Sequence, residues 1–153
     1  MRLVNEAIRD IMLYLEQNLN HTSYEATFEN DVISYNKLAK ELTPSDFYTA
    51  TEVKYAAIQL VDAGFILAHK YTGKKDNYIR CDIYDITYAG HELIKNIKPK
   101  KIWQKVKAQA EKEGILSLTN LAKLCSKTTA LMLSNADISQ IPQNILDDIF
   151  SPK

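Results

Sequence analysis

Lysine and arginine side chains cluster around one short polar segment in the middle of the chain. They are Lys70, Lys74, Lys75 and Arg80, and they lie in or beside the Gly-Lys-Lys-Asp-Asn run at residues 73–77. Ammonium and guanidinium groups bind phosphate oxygens, and basic loop tips of this kind contact the DNA backbone or minor groove. A solvated surface turn has the same composition. On these residues alone, both interpretations stay open.

The histidines and cysteines do not combine into a catalytic or metal-binding pattern. His21, His69 and His91 lie in three different predicted elements, and none has a second metal-type ligand at helical spacing. Cys81 and Cys125 are isolated, so we expect two buried thiols and no metal or redox pair. The chain has 4 glycines and no nucleophile or phosphate-loop motif. We therefore expect a protein that is not an enzyme and binds no cofactor or metal.

A helix is predicted directly before the basic segment. Thr51 is a suitable N-cap, Glu52 suits the positive end of the helix dipole, and apolar residues recur at helical spacing over residues 53–61. Gly64 can adopt the left-handed conformation that ends a helix. An amphipathic helix is therefore expected from Thr51 to Gly64.

A β-hairpin is predicted after this helix. Residues 65–67 are a short apolar strand, residues 71–78 contain the turn chemistry, and a return strand follows to residue 86. Thr87 then caps a helix that begins at Tyr88. The basic segment is thereby placed at the tip of the hairpin.

The elements upstream complete a recognisable order. Apolar residues recur every three or four positions from Leu3 to Leu19, which predicts a helix, and residues 20–30 are a polar connection. Val32 and Ile33 predict a short strand, and Ser34 caps a helix over residues 35–42. This order of helices and strands is that of a winged helix. The fold class expected is α+β, a winged helix-turn-helix domain with appended C-terminal helices.

Beyond the hairpin the chain is predicted to be helical. One helix covers residues 88–97, a second has Pro99 in its first turn, and Ser117 opens a third. We predict a winged-helix domain at residues 1–97, a helical subdomain at 98–134 and a tail at 135–153. The apolar faces of these helices either fold back on the first domain or form a homodimer.

Charge is unevenly distributed, although the formal net charge is +0. Residues 1–62 contain five Lys or Arg against ten Asp or Glu, and residues 63–113 contain eleven against six. A polyanion is expected to approach the basic middle. No apolar run approaches the ~20 residues that span a bilayer, and the N-terminus lacks a signal-peptide core. We expect a cytoplasmic protein with no membrane partner.

A second group of lysines surrounds a predicted helix boundary. Trp103 and Val106 indicate that the opposite side of this helix is buried, which favours a solvated lysine face, and phosphate contact is the alternative. The group comprises Lys95, Lys98, Lys100, Lys101, Lys105 and Lys107.

Four stretches together resemble an uncharacterised family of phage and prophage proteins, a domain of unknown function common in bacteria of low GC content. The resemblance covers roughly residues 3–131, and its most specific part is a T-x-x-G-H-E-L run followed by a tryptophan in the next helix. The stretches are LVNEAIRDI at 3–11, LVDAGFI at 60–66, ITYAGHELI at 86–94 and IWQKVK at 102–107.

The resemblance implies a phage or prophage origin, a cytoplasmic location in a bacterial host and a winged-helix core. It implies no biochemical activity, because the activity of that family is not established. Ala56 stands where the resemblance leads us to expect a histidine.

Duplex DNA is the favoured ligand. The exposed face of the helix before the hairpin is expected to enter the major groove, with the basic hairpin on the backbone. The alternative is a protein-interaction module, acting as a homodimer or binding a host factor. The exposed face of the helix also carries the acid Glu52. The predicted contacts on the helix are Thr49, Thr51, Lys54, Tyr55 and Gln59, and those on the hairpin are Lys70, Lys74, Lys75 and Arg80.

Overall fold

The computed structural model of this 153-residue chain describes residues 3–19, 32–74, 78–113 and 117–133. These ranges contain six α-helices and one three-stranded antiparallel sheet, which confirms the α+β class. The elements are α1 (Asn5–Asn18), β1 (Ile33–Ser34), α2 (Tyr35–Leu42), α3 (Ala50–Asp62), β2 (Ile66–Thr72), β3 (Tyr78–Ile86), α4 (Tyr88–Ile97), α5 (Lys100–Glu113) and α6 (Leu118–Leu133).

Some predictions lie outside the described residues. They concern the connection at residues 20–30, His21, Lys75 and the tail at 135–153. The chain divides into two compact units, Met1–His91 and Glu92–Lys153. The limits predicted above for three segments stay a prediction.

Helix α1 forms because its apolar residues share one side. Five of them are completely buried, as the spacing predicts, and they belong to the core of the first unit, where α1 packs on α3 and α2. These residues are Ala7, Ile8, Ile11, Met12 and Leu15.

Strand β1 and helix α2 follow the predicted pattern. The Ser34 hydroxyl accepts a hydrogen bond from the Lys37 backbone N–H at 3.1 Å, which caps α2 as expected. Leu38 and Ala39 are buried, and α2 packs on α3. The helix ends at Leu42, as predicted, and a Thr-Pro-Ser-Asp segment follows, in which the residue before the proline is disfavoured in the helical conformation.

The predicted cap of helix α3 is wrong by two residues. The N-cap is Thr49, whose hydroxyl accepts from the Glu52 N–H at 3.3 Å, while the Glu52 carboxylate accepts from the Thr49 N–H at 3.1 Å. This reciprocal capping box needs an acid three residues after the cap. Thr51 has Lys54 at that position, so it lies inside the helix. Gly64 has φ +84° after α3, as predicted.

The sheet has the order β1–β3–β2, with β3 in the centre. Strand β2 is longer than predicted, and the turn is correspondingly shorter. Backbone pairing continues through Thr72, opposite Tyr78, because residues 68–72 find partners along β3. On β3, Tyr84 is the extra residue of a bulge, since Leu67 pairs with Asp85 and Ala68 pairs with Ile83.

The end of the hairpin is fastened to the end of α3 by Thr87 and Gly90. The Thr87 hydroxyl donates to the Gly64 carbonyl at 2.6 Å, and the Thr87 N–H donates to the Phe65 carbonyl at 3.1 Å. The same hydroxyl accepts from the Gly90 N–H at 3.0 Å, so Thr87 caps α4 as predicted. Gly90 lets the Phe65 carbonyl approach, since a Cβ there would lie 2.0 Å from that oxygen. We call this contact the Thr87–Gly90 latch.

In the second unit, α5 packs on α6. Trp103 and Val106 are buried on α5, as predicted, and Ser117 caps α6 by accepting from the Asn120 N–H at 3.2 Å. Helix α5 begins at Lys100, one residue after Pro99, which the sequence placed in the first turn.

Cys81 and Cys125 are both buried, which confirms the predicted burial of the thiols; we call them the two buried cysteines. Burial raises the pKa of the Cys81 thiol to about 11 and that of Cys125 to about 12. A thiol with a raised pKa is protonated at neutral pH and is a poor nucleophile.

Within the described residues, no helix combines the length and apolar character that crossing a membrane requires.

Candidate nucleic-acid interface

The outward side of α3 is opposite its buried residues Val53, Ala57 and Leu60. At 100° per residue, this side is formed by Thr51, Tyr55, Ile58 and Asp62. We call these four residues the outward row. Thr51 and Asp62 are exposed, and Tyr55 and Ile58 are half-buried. A hydroxyl and a phenol are therefore offered to a partner, beside an apolar side chain and a carboxylate.

Two residues of the outward row were missed by sequence reasoning. Ile58 and Asp62 occupy the same side as Thr51 by helical spacing alone, so the signal was present in the sequence. Gln59, which was predicted to contact DNA, lies beside the row and is half-buried.

The predicted contact residue Thr49 uses its polar groups within the helix, together with Glu52. Thr49 and Glu52 bond to each other in the capping box, which leaves them less able to bond to a base edge. The T-x-x-E spacing that identifies such a box was visible in the sequence.

The cation of α3 lies against α2. The Lys54 ammonium is 5.4 Å from the centre of the Tyr35 ring, and its side chain is half-buried. This cation–π contact holds Lys54 beside the outward row instead of in it.

Two of the predicted hairpin cations have carboxylate partners. Lys70 Nζ lies 3.0 Å from Asp62 Oδ1, so strand β2 is tied to the last turn of α3. Arg80 Nε lies 2.7 Å from Asp82 Oδ2, and the guanidinium also lies 5.5 Å from the centre of the Tyr71 ring. The hydrogen bond and charge of Asp82 raise the pKa of Arg80. A phosphate would have to compete with these carboxylates.

The remaining hairpin lysines are Lys74 and Lys75. Lys74 is exposed at the end of the described part of the hairpin tip, and Lys75 lies outside the described residues. Lys74 forms no ion pair with another residue of the described ranges.

Asp82 is a buried carboxylate in the central strand. Its exposed fraction is 4%, and its Oδ1 atom has no hydrogen-bond partner among the described residues. It pairs in register with His69 on β2, whose ring stacks on Tyr84 at a centroid distance of 4.6 Å. Arg80 therefore forms its ion pair with a carboxylate that is buried by the pairing of the strands.

Large hydrophobic side chains are exposed at separate places on the first unit. Tyr88 is 82% exposed, Phe47 is 60% exposed and Tyr71 is 50% exposed. Phe47 lies two residues before the Thr49 cap, and Tyr88 is the first residue of α4. Exposed aromatic residues are enriched at interfaces with other macromolecules.

Among the described residues, no group of three or more His, Cys, Asp and Glu side chains is arranged to hold a metal ion.

Residues 2–116 match a family model described as "Hypothetical protein (DUF2513)". The match covers most of the chain, and the chain belongs to this family. It confirms the predicted kinship with an uncharacterised domain family, while the phage origin stays a prediction. No curated protein matches the chain, and no solved structure does.

Proposed function

We propose that this member of the DUF2513 family is a winged-helix protein of phage or prophage origin that binds duplex DNA. In this proposal α3 enters the major groove and the β2–β3 hairpin is the wing, which lies on the sugar-phosphate backbone. The order of elements supports it, because α1, β1, α2, α3, β2 and β3 follow one another as in a winged helix. The sheet order β1–β3–β2 and the packing of α2 on α3 agree with this fold.

The observation that carries the proposal is the position of the hairpin beside the last turn of α3, which is marked by the Lys70–Asp62 ion pair. This ion pair brings a hairpin cation to within 3.0 Å of the last residue of the outward row. The Thr87–Gly90 latch fastens the far end of the same hairpin to the loop after α3. Contacts at both places connect the hairpin to α3, and two connected contact surfaces lose less entropy on binding than two independent ones.

The first test is fluorescence anisotropy with a labelled random duplex at ~50 and ~200 mM salt. Neutralising two phosphate contacts lowers the slope of log affinity against log salt by about 1.8. We therefore expect the double change Lys74→Ala, Lys75→Ala to weaken binding and to reduce the slope by that amount.

The matched control is the double change Lys37→Ala, Lys40→Ala. It removes the same charge from two exposed lysines of α2 that belong to no predicted contact. The control is expected to bind nearly as well as the wild type. Absence of wild-type binding at ~50 mM salt refutes the DNA proposal, and equal losses in the two doubles refute the assignment of the wing.

The contact with the groove has its own test. Thr51→Ala and Tyr55→Ala remove the two polar groups of the outward row that can bond to bases. On a selected operator, each change is expected to reduce the preference over random DNA, while the salt slope stays unchanged. An unchanged preference would exclude α3 as the recognition helix.

A second candidate function is protein binding, which the exposed Phe47 and Tyr88 side chains favour. In that case the partner is a host protein, or a second copy of this chain paired through the C-terminal helices. Binding would survive the Lys74 and Lys75 changes and be lost on Phe47→Ala or Tyr88→Ala. Sedimentation velocity of the wild type tests the homodimer.

A further inference from the structure

The second compact unit is the basic part of this chain. Residues 1–91 contain nine Lys or Arg against thirteen Asp or Glu, whereas residues 92–133 contain nine lysines against three glutamates. Helix α6 contains no acidic residue. In the first unit, moreover, Lys70 and Arg80 are already paired with carboxylates. Attraction to a polyanion therefore has its main source in residues 92–133.

Helix α5 carries three of these lysines on one side. Its buried residues Trp103, Val106 and Ala110 define the packed side. The opposite side, at 100° per residue, contains Lys101, Lys105, Ala108 and Lys112, which are all exposed. We call Lys101, Lys105 and Lys112 the lysine row.

The lysine row has a length that suits a nucleic-acid backbone. From Lys101 to Lys112 the helix rises about 16 Å at 1.5 Å per residue. One DNA strand carries a phosphate about every 3.4 Å along the axis, so the row spans about five phosphates. Glu111 is 100° from Lys112 around the helix and is not part of the row. The lysine row forms no ion pair with another described residue.

Helix α6 presents a compatible surface. Its buried residues include Leu121 and Leu124, and the opposite side contains Thr119, Lys123 and Ser126, which are all exposed. Hydroxyl and ammonium groups are the donors that proteins use for phosphate oxygens. The exposed sides of both helices therefore carry donors for an anionic backbone.

We propose that the lysine row of α5 binds the phosphates of duplex DNA independently of base sequence. The inference rests on the proposed function, and it adds a second contact surface in a different unit. The row supplies the positive charge that residues 1–91 lack. If the lysines were only a solvated helical face, their neutralisation would leave DNA affinity unchanged, and this difference makes the proposal testable.

The experiment compares two double variants of the full chain by anisotropy with a labelled random duplex between ~50 and ~200 mM salt. The test variant is Lys101→Gln, Lys105→Gln. The control is Lys100→Gln, Lys107→Gln, which removes the same charge from another side of the same helix. Melting temperatures near the wild-type value establish that both variants are folded.

We expect the test variant to lower the salt slope by about 1.8, at about 0.9 for each lost phosphate contact. The loss of affinity between the two salt concentrations then becomes roughly tenfold smaller than in the wild type. The control is expected to change the slope by less than half as much. Equal slopes of log affinity against log salt in the two double variants would refute the proposal that the lysine row binds DNA.

The Lys74→Ala, Lys75→Ala variant separates this inference from the proposed function. If that variant binds weakly and the lysine-row variant matches its control, the wing proposal stands and the lysine row is overturned. If only the lysine-row variant is weak, the row is supported and the wing is overturned. If the wild type binds no duplex at ~50 mM salt, both the wing proposal and the lysine-row proposal are refuted. The same conclusion holds if the wild type binds anionic vesicles but no duplex.

Discussion

Replacing Gly90 with alanine is expected to destabilise the protein, although alanine is the better helix former. A Cβ at this position would lie 2.0 Å from the Phe65 carbonyl oxygen and 2.7 Å from Ile86 Cγ2. One of these neighbours is backbone, so the first turn of α4 has to move away by about 1.4 Å to restore ordinary van der Waals contact. That movement also strains the two hydrogen bonds from Thr87 to the Gly64 and Phe65 carbonyls.

The magnitude follows from three effects. Overpacking costs about 1–3 kcal/mol, and each of the two weakened hydrogen bonds costs about 1 kcal/mol. The higher helix propensity of alanine offsets about 1 kcal/mol of this destabilisation. The net expectation for Gly90→Ala is a loss of about 2–4 kcal/mol in the free energy of unfolding. At about 2–4 °C per kcal/mol for a chain of this size, the melting temperature should fall by roughly 4–16 °C.

Thermal unfolding followed by circular dichroism checks this value, with Gly64→Ala as the control. A Cβ at Gly64 meets nothing within 4 Å, so that change costs only the strain of a left-handed alanine, about 1–2 kcal/mol. Gly90→Ala is expected to melt at the lower temperature. A Gly90→Ala protein that melts at or above the wild-type temperature would refute the reasoning, because helix propensity would then outweigh the clash.

Three further predictions follow from the fold. Thr49→Ala should lower the free energy of unfolding in urea by about 1 kcal/mol, and Thr51→Ala should lower it by less than about 0.5 kcal/mol, because only Thr49 caps α3. Equal losses in the two variants would contradict that assignment. Arg80→Ala leaves the buried Asp82 without its cation and should lower the midpoint of urea unfolding. Adding Asp82→Asn to this variant should restore part of the lost midpoint. A further decrease would argue against a stabilising Arg80–Asp82 ion pair. The two buried cysteines should react with a disulfide reagent at pH 8 only after unfolding. Because their pKa values are raised, their contribution to stability is complete below about pH 8.5 and is lost as pH rises toward 11 and 12, so urea midpoints should fall over that interval.

Local sequence signals predicted most of the elements. Helices α2 and α4 have the predicted limits, and β1 is shifted by one residue from the predicted strand. Ser34, Thr87 and Ser117 cap helices as expected. These features depend on side chains and backbone groups within four residues of one another, so a linear pattern contains the information they need.

Two predictions about helix and strand limits were wrong, for different reasons. Thr49 and Thr51 are both suitable caps, and only the acid three residues later distinguishes them. The strand after α3 was predicted too short because its exposed residues lack an apolar pattern, although each finds a backbone partner on β3. Strand length depends on the partner strand, which propensity does not report.

The candidate DNA contacts were predicted in part. Helical spacing identifies Thr51 and Tyr55 as outward, and the same spacing would have added Ile58 and Asp62. The carboxylate partner of Lys70 was beyond sequence reasoning. The Lys70–Asp62 pair joins residues of different elements, so its formation depends on how β2 returns past α3.

By itself the sequence determined the α+β class, the limits of α2 and α4, the basic middle of the chain and the buried apolar sides of α1, α3 and α5. These follow from periodicity, capping and composition, which act over a few residues. The tertiary structure alone decided that Gly90 must admit the Phe65 carbonyl, that Asp82 is buried and that Lys70 pairs with Asp62. Such contacts require two elements to meet at atomic distance, and the chain reaches that distance only when the sheet and helices pack together.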